Sequence, residues 1–259
     1  MSGRAVCGPP AYSVMNNLHN ITAGILAGGA GSRLRTVVPD LPKVLAPVAG
    51  RPFLHYPLDH LAAQGFRRVV LCTGYLGEMI KESLGTSYRG MRLLYSCDDR
   101  PLGTAGALLQ ALPLLASETV LILNGDSFVE ADLKASLQWH QRRHARATVL
   151  LARAEDATRY GRVEVSGDGR IEAFCEKDGA SGPAWINSGY YWFQREAIAD
   201  LVPDEPRSLE HDVLPRWIGH GLFGCTEPGR FLDIGVPEDY ARAEQFFQEL
   251  TEPSLELAV

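Results

Sequence analysis

No apolar stretch of this chain reaches the roughly 18 residues that a membrane-crossing helix needs, so no membrane partner is expected. Long basic runs are also missing, and the formal net charge over 259 residues is -6. A nucleic-acid partner is therefore not expected, and the short "QRRHAR" patch is read as the solvated end of a helix. Cysteines are few and scattered: Cys7, Cys72, Cys97, Cys175 and Cys225. Their odd number and the lack of any CxxC argue against a disulfide framework and point to buried thiols in a reduced, cytoplasmic setting. There is no GxSxG nucleophile elbow, and no cysteine sits in a nucleophile motif. No internal repeat is present, and no hexapeptide pattern announces an appended β-helix. The first twenty residues lack the apolar core of a secretory signal; they are expected to be a flexible extension, with Met15 as an alternative start.

What is present is a chain that is 46% hydrophobic, enough for a substantial core. Apolar runs bounded by glycine alternate with helical periodicity. "ITAGILAG", "RRVVLCTG", "MRLLYSC", "TVLILNGD" and "ATVLLARA" read as strands, and "FLHYPLDHLAAQG", "TAGALLQALPLL" and "ADLKASLQWHQRRH" as helices. This alternation predicts an α/β fold, Rossmann-like, with a mostly parallel mixed sheet flanked by helices. After about residue 155 the rhythm changes. "YGRVEVSGDGRIEAFCEK" predicts a hairpin turning at "GDG", "INSGYYWF" a strand, and "SLEHDVLPRWI" a helix, with a last helix after Pro237. The expected organisation is one domain over residues 21–250, with a nucleotide-type α/β half (21–155), a small, partly antiparallel half completing it (156–250) and a tail (251–259).

The chemistry concentrates in "LAGGAGSRLRTVVPDLPK". Gly28, Gly29 and Gly31 fall at the carboxyl end of the first strand, where open α/β sheets bind ligands. Glycine there lets backbone N–H groups approach phosphate oxygens, although most such glycines only make turns. A P-loop needs lysine where Ala30 stands, and a dinucleotide fingerprint needs glycine where Leu34 stands; both motifs fail. Arg33 offers a planar fork for phosphate, and Lys43, stiffened by Pro42, a compact point charge. Two cations near a glycine loop suit a polyphosphate.

Asp126 closes the fourth strand in "LILNGDSF" and reads either as a turn residue or as a magnesium ligand, since Mg²⁺ prefers carboxylate oxygens completed by water and phosphate. His140 and His144 lie four apart on a helical pattern, but with no third ligand they are read as solvated or half-buried histidines.

The segment "LAGGAGSRLRTVVPDLPKVLAPVAGRP" resembles the opening motif of the sugar-1-phosphate nucleotidyltransferases, GGxGxRL followed by PKxxxPV and a later proline. The resemblance runs over roughly residues 21 to 248. It implies an enzyme that joins a sugar 1-phosphate to an NTP and releases pyrophosphate, with Mg²⁺ held by Asp126 and, from "RFLDIGVPEDY", Asp233. The catalytic set it implies is Arg33, Lys43, Asp126 and Asp233. The nucleotide would lie against Leu26, Ala27, Gly28, Gly29, Gly31 and Ser32, against Arg33, Lys43 and Asp126, and against Gly103 and Thr104 of "PLGTAGAL". The sugar phosphate would meet Gly161, the Glu176–Lys177 pair, Asn187 and Gly189. Asp178 stands where the family has proline after that pair. Within the family the chain looks most like D-glycero-α-D-manno-heptose 1-phosphate guanylyltransferases, which implies GTP. The alternatives are mannose-1-phosphate guanylyltransferase, N-acetylmuramate-1-phosphate uridylyltransferase and glucose-1-phosphate thymidylyltransferase. Of other classes, a non-catalytic sugar-nucleotide-sensing subunit would lack some of the loop cations or aspartates, and an NAD(P)-dependent oxidoreductase is weakened by the missing third glycine. The assembly expected is a monomer or homodimer.

Overall fold

The structure is a computed structural model that describes residues 17–29, 31–175, 182–201, 207–226 and 229–251. Its strands of three or more residues are β1 (Thr22–Leu26), β2 (Arg68–Thr73), β3 (Met91–Cys97), β4 (Thr119–Asn124), β5 (Ser127–Val129) and β6 (Ala147–Ala154). They continue with β7 (Arg162–Val165), β8 (Ile171–Cys175), β9 (Ala184–Gln194), β10 (Leu222–Thr226) and β11 (Phe231–Asp233). The helices are α1 (His55–Gln64), α2 (Gly77–Leu84), α3 (Gly103–Ala111), α4 (Leu133–Arg142), α5 (Arg195–Ala199) and α6 (Pro237–Thr251).

The centre of the main sheet is parallel: β1 lies between β4 and β2, and β3 follows β2. Strands β1, β2 and β4 are each buried at all but one position because both faces are covered. Leu121 and Leu123 of β4 enter one core with α1 and α4, while Val120 and Ile122 enter a second core with α3. A third cluster joins Leu34, Phe53 and Phe128 to Phe247 of α6. Gly65 ends α1 at φ +97, in the left-handed region that glycine enters without a Cβ penalty.

The fifth expected strand, β6, does not extend the parallel run directly. Strand β9 inserts between β4 and β6, antiparallel to both, and β6 pairs in parallel with β10. Sequence order alone carries no sign of this, because consecutive strands need not be neighbours. A register shift between Asn187 and Tyr191 divides β9. Its later part pairs with β4, and its earlier part meets the antiparallel β7–β8 hairpin at Ile186.

The helix expected over "SLEHDVLPRWI" is replaced by a π turn, Leu209–Val213, followed by a 3-10 turn, Leu214–Trp217. Pro215 has no N–H to give to a continuing α-helix. Two other expectations are corrected. His140 is fully buried, its Nδ1 2.8 Å from Thr148 Oγ1 and its Nε2 3.1 Å from Gln194 Nε2. It falls on the face of α4 that packs over the sheet. Cys72 and Cys225 are buried as expected, but Cys175 is half-buried and Cys97 is exposed, at the ends of β8 and β3. Cys7 lies outside the described residues.

Candidate active site

The site is built where the parallel strands end. Beyond Leu26 the chain stays close to the sheet, with the Ala27 N–H donating to Cys72 O (2.8 Å). Gly28 then passes Gly74 so closely that a Cβ would sit 3.1 Å from the Gly74 nitrogen. Gly31 has φ +60 and rests on Lys43, where a Cβ would lie 3.0 Å from Lys43 Cβ. Leu34, which breaks the dinucleotide fingerprint, is 1% exposed and anchors the loop in the third core. A cleft of about 700 Å³ opens beside this loop. Its walls include every expected nucleotide residue, from Leu26 and the glycines through Ser32, Arg33 and Lys43 to Gly103, Thr104 and Asp126.

Lys43 opens a 3-10 turn after Pro42, and its ammonium forms an ion pair with Asp126. Asp126 is set by Gly125, whose N–H donates to Leu26 O (2.9 Å) and which has no room for a side chain against that carbonyl. The Asp126 carbonyl in turn accepts from Ile234 N–H (2.9 Å), drawing β11 alongside. In the two-stranded ladder of β5 and β11, Asp233 stands opposite Ser127. Ser127 Oγ donates to Asp233 Oδ2 (2.9 Å), and the Gly235 N–H donates to Oδ1 (2.6 Å). Burial and the neighbouring Asp126 charge push the Asp233 carboxyl up to about 6, against the pull of Lys43. Two hard carboxylates sharing one region, one of them short of positive charge, suit a divalent cation. Among the described residues no group of three or more His, Cys, Asp or Glu could hold a metal, so the remaining ligand positions would fall to water and phosphate.

Of the expected sugar residues, Gly161, Asn187 and Gly189 are among the described residues. Gly161 packs against Cys175 O, and Asn187 Oδ1 accepts from Gly189 N–H (2.9 Å). Gly189, at φ +78, abuts Asn124 of the cleft wall, where a Cβ would meet Nδ2 at 2.9 Å. Gly161, Asn187 and Gly189 themselves are not among the cleft-lining residues. Glu176 and Lys177 lie outside the described residues.

Three further residues of the site carry little signal in the sequence. Gly235 and Asn124 line the cleft, and both sit within motifs already quoted, "LDIGVPEDY" and "LILNGDSF". Asp98 also lines the cleft, and its Oδ1 is buried without a hydrogen-bond partner. Burial, with Asp99 beside it, raises its carboxyl to about 6. The acidic pair before "PLGTAG" is its only signal.

A family model described as nucleotidyl transferase matches residues 22–249. The chain belongs to the nucleotidyl transferase family. It is an enzyme of the nucleotidyltransferase class, a class that generally uses a divalent metal. Among curated relatives, a D-glycero-alpha-D-manno-heptose 1-phosphate guanylyltransferase of Aneurinibacillus thermoaerophilus is 38% identical over 225 residues, covering 86% of this chain and 97% of the relative. One of the same description from Campylobacter jejuni is 33% identical, over 83% of this chain and 95% of its own. A mannose-1-phosphate guanylyltransferase of Mycobacterium tuberculosis is also 33% identical, over 86% of this nucleotidyl transferase but only 64% of the relative. Of solved structures, HddC from Yersinia pseudotuberculosis complexed with GMP-PN superposes with a TM-score of 0.79 at 30% identity, covering 88% and 99% of the two chains. The expected mixed, mostly parallel sheet flanked by helices is thus the fold of this family.

Proposed function

We propose that this nucleotidyl transferase moves a guanylyl group from GTP to D-glycero-α-D-manno-heptose 1-phosphate, with Mg²⁺, releasing pyrophosphate. The observation that carries the reading is the meeting of Lys43, Asp126 and Asp233 beside a glycine loop in one cleft. The sugar is supported by the two heptose-named relatives, matched over nearly their whole length. The base is supported by Asp98, because a carboxylate can accept both N1–H and the 2-amino group of guanine, and uracil and thymine offer a single N–H donor there.

The sugar phosphate oxygen attacks the α-phosphorus in line, the bond to the β-phosphate bridge breaks, and pyrophosphate leaves with the electron pair. A phosphate dianion is already a competent nucleophile, so the protein's work is positioning and charge neutralisation. Backbone N–H groups of the glycine loop and Arg33 hold the β- and γ-phosphates. Lys43 faces the α-phosphate. Asp126 and Asp233 would hold Mg²⁺, which would offset phosphate charge. Asn187, Gly189 and Gly161 receive the sugar, with Glu176 and Lys177 assigned to its hydroxyls and phosphate. We read residues 21–250 as one domain acting in the cytoplasm as a monomer or homodimer.

A pyrophosphate-release screen tests this, crossing GTP, UTP, dTTP, CTP and ATP with heptose, mannose, glucose and N-acetylmuramic acid 1-phosphates. GTP with the heptose phosphate is expected to give the highest kcat/KM. A preference for mannose 1-phosphate would replace the sugar assignment, and a pyrimidine nucleotide would replace the base. Silence in every pair would favour a sensing subunit.

A further inference from the structure

Thr104 lines the cleft at the head of α3, yet its hydroxyl is committed inside the protein. It donates to Glu210 Oε2 (3.1 Å) and accepts from Leu209 N–H (2.7 Å). The same helix head is bound twice more to this segment: Ala105 N–H donates to Arg207 O (3.0 Å), and Arg207 N–H donates to Leu102 O (3.1 Å). Gly103, at φ +71, packs directly on the Arg207 backbone with no space for a Cβ. An N-terminal amide of α3 is therefore already satisfied by a protein carbonyl, which argues for a structural latch here and against a phosphate site.

The other oxygen of Glu210 faces the opposite way. Tyr191, fully buried on β9, donates its O–H to Glu210 Oε1 (3.2 Å) and accepts from Asn187 Nδ2 (3.0 Å). Asn187 in turn closes on Gly189 N–H at the register shift of β9. Glu210 itself is held by Ser208 Oγ (2.8 Å) within a π turn, an irregularity that often marks functional positions. One carboxylate thus receives the helix head on one side and the β9 bulge on the other. Its charge makes each of these hydrogen bonds stronger than a neutral one.

We propose that Glu210 is a positioning residue that locks the two substrate subsites into one geometry, fixing the head of α3 through Thr104 and the β9 bulge through Tyr191. This rests on the proposed function, in which α3 flanks the nucleotide and Asn187 the sugar. Glu210 needs no contact with either substrate. It sets the angle at which the sugar phosphate meets the nucleotide.

The test compares wild type, Glu210→Gln and Asp212→Asn. Glutamine keeps the shape but replaces one acceptor with a donor, so either the Thr104 or the Tyr191 hydroxyl must turn away. In hydrogen–deuterium exchange of the unliganded protein, Glu210→Gln is expected to speed exchange around residues 103–106 and 187–191 together. In kinetics it is expected to lower kcat/KM roughly ten-fold for the nucleotide and for the sugar phosphate alike. Asp212→Asn, which weakens the bond that Asp212 Oδ2 accepts from Ser208 N–H (2.7 Å) but leaves both arms of Glu210 in place, keeps both kcat/KM values even where its melting temperature falls. Exchange changes confined to residues 207–213, or unchanged kcat/KM values in Glu210→Gln, overturn the proposal. A wild-type protein that turns over no sugar 1-phosphate overturns the function beneath it, an outcome read without any variant.

Discussion

Lys43 and Asp126, 83 positions apart in sequence, form an ion pair in the cleft, with Asp233 close enough for its titration to feel both charges. The lysine occupies electrostatically the place a divalent cation would take beside two carboxylates. Under the proposed function, a bound cation would displace the ammonium toward the phosphates. Replacing the lysine separates the effects. Lys43→Gln is expected to tighten Mn²⁺ binding in a paramagnetic titration, because the carboxylates lose their internal counter-charge. Turnover in the same variant is expected to fall by about 10²-fold or more, as a charge aimed at the reacting phosphates is lost.

Removing the carboxylates gives the converse. Asp126→Asn and Asp233→Asn are each expected to abolish metal-dependent pyrophosphate release. Burial disfavours a charged Asp233 in the metal-free protein, so Asp233→Asn should melt in EDTA at or above the wild-type temperature. Adding Mg²⁺ should raise the melting temperature of wild type and leave the variant unmoved. Retained turnover in either variant would sink the metal assignment.

Asp98 governs base choice if its unpartnered oxygen meets guanine. ITP, which lacks the 2-amino group, is then expected to be a poorer substrate than GTP for the wild type. Asp98→Asn should lower kcat/KM for GTP by roughly 10- to 100-fold and shrink the GTP-over-ITP ratio toward one. An unchanged ratio would remove Asp98 from the base site.

His140 supplies a pH dependence of stability outside the cleft. Burial lowers its imidazole from the ordinary value near 6.5 to about 4. The unfolded chain therefore takes up a proton between those values while the folded one does not. Stability is full above about pH 6.5, declines as pH falls to about 4, and loses nothing further from this group below that. The span corresponds to about 3 kcal/mol. Urea denaturation across this range should show the decline, and His140→Gln should flatten it.

Much of the fold is legible in the sequence because the parallel strands, buried on both faces, are written as unbroken apolar runs such as "TVLILN" between glycine-bounded turns. The insertion of β9 is not legible, since pairing depends on which strands meet and not on what each contains. The full burial of His140 is hidden for the same reason: it is decided by Thr148 and Gln194, on strands that pattern analysis cannot bring to it. In the site, the glycine loop, Lys43 and the two aspartates stand out through a motif. Asp98 and Glu210 do not, because a lone acidic residue means nothing until its neighbours are known, and those neighbours come from distant segments.

The position of β9 has a consequence for synthesis. As the chain leaves the ribosome, β1, β2, β3 and β4 can pair in order, but β4 then waits with an open edge. That edge is apolar on both faces and stays exposed until residues 184–194 emerge to cover it. An open strand edge of this kind is a template for pairing with another chain. The nascent protein is therefore most prone to aggregate after its cleft has begun to form and before its last third is made.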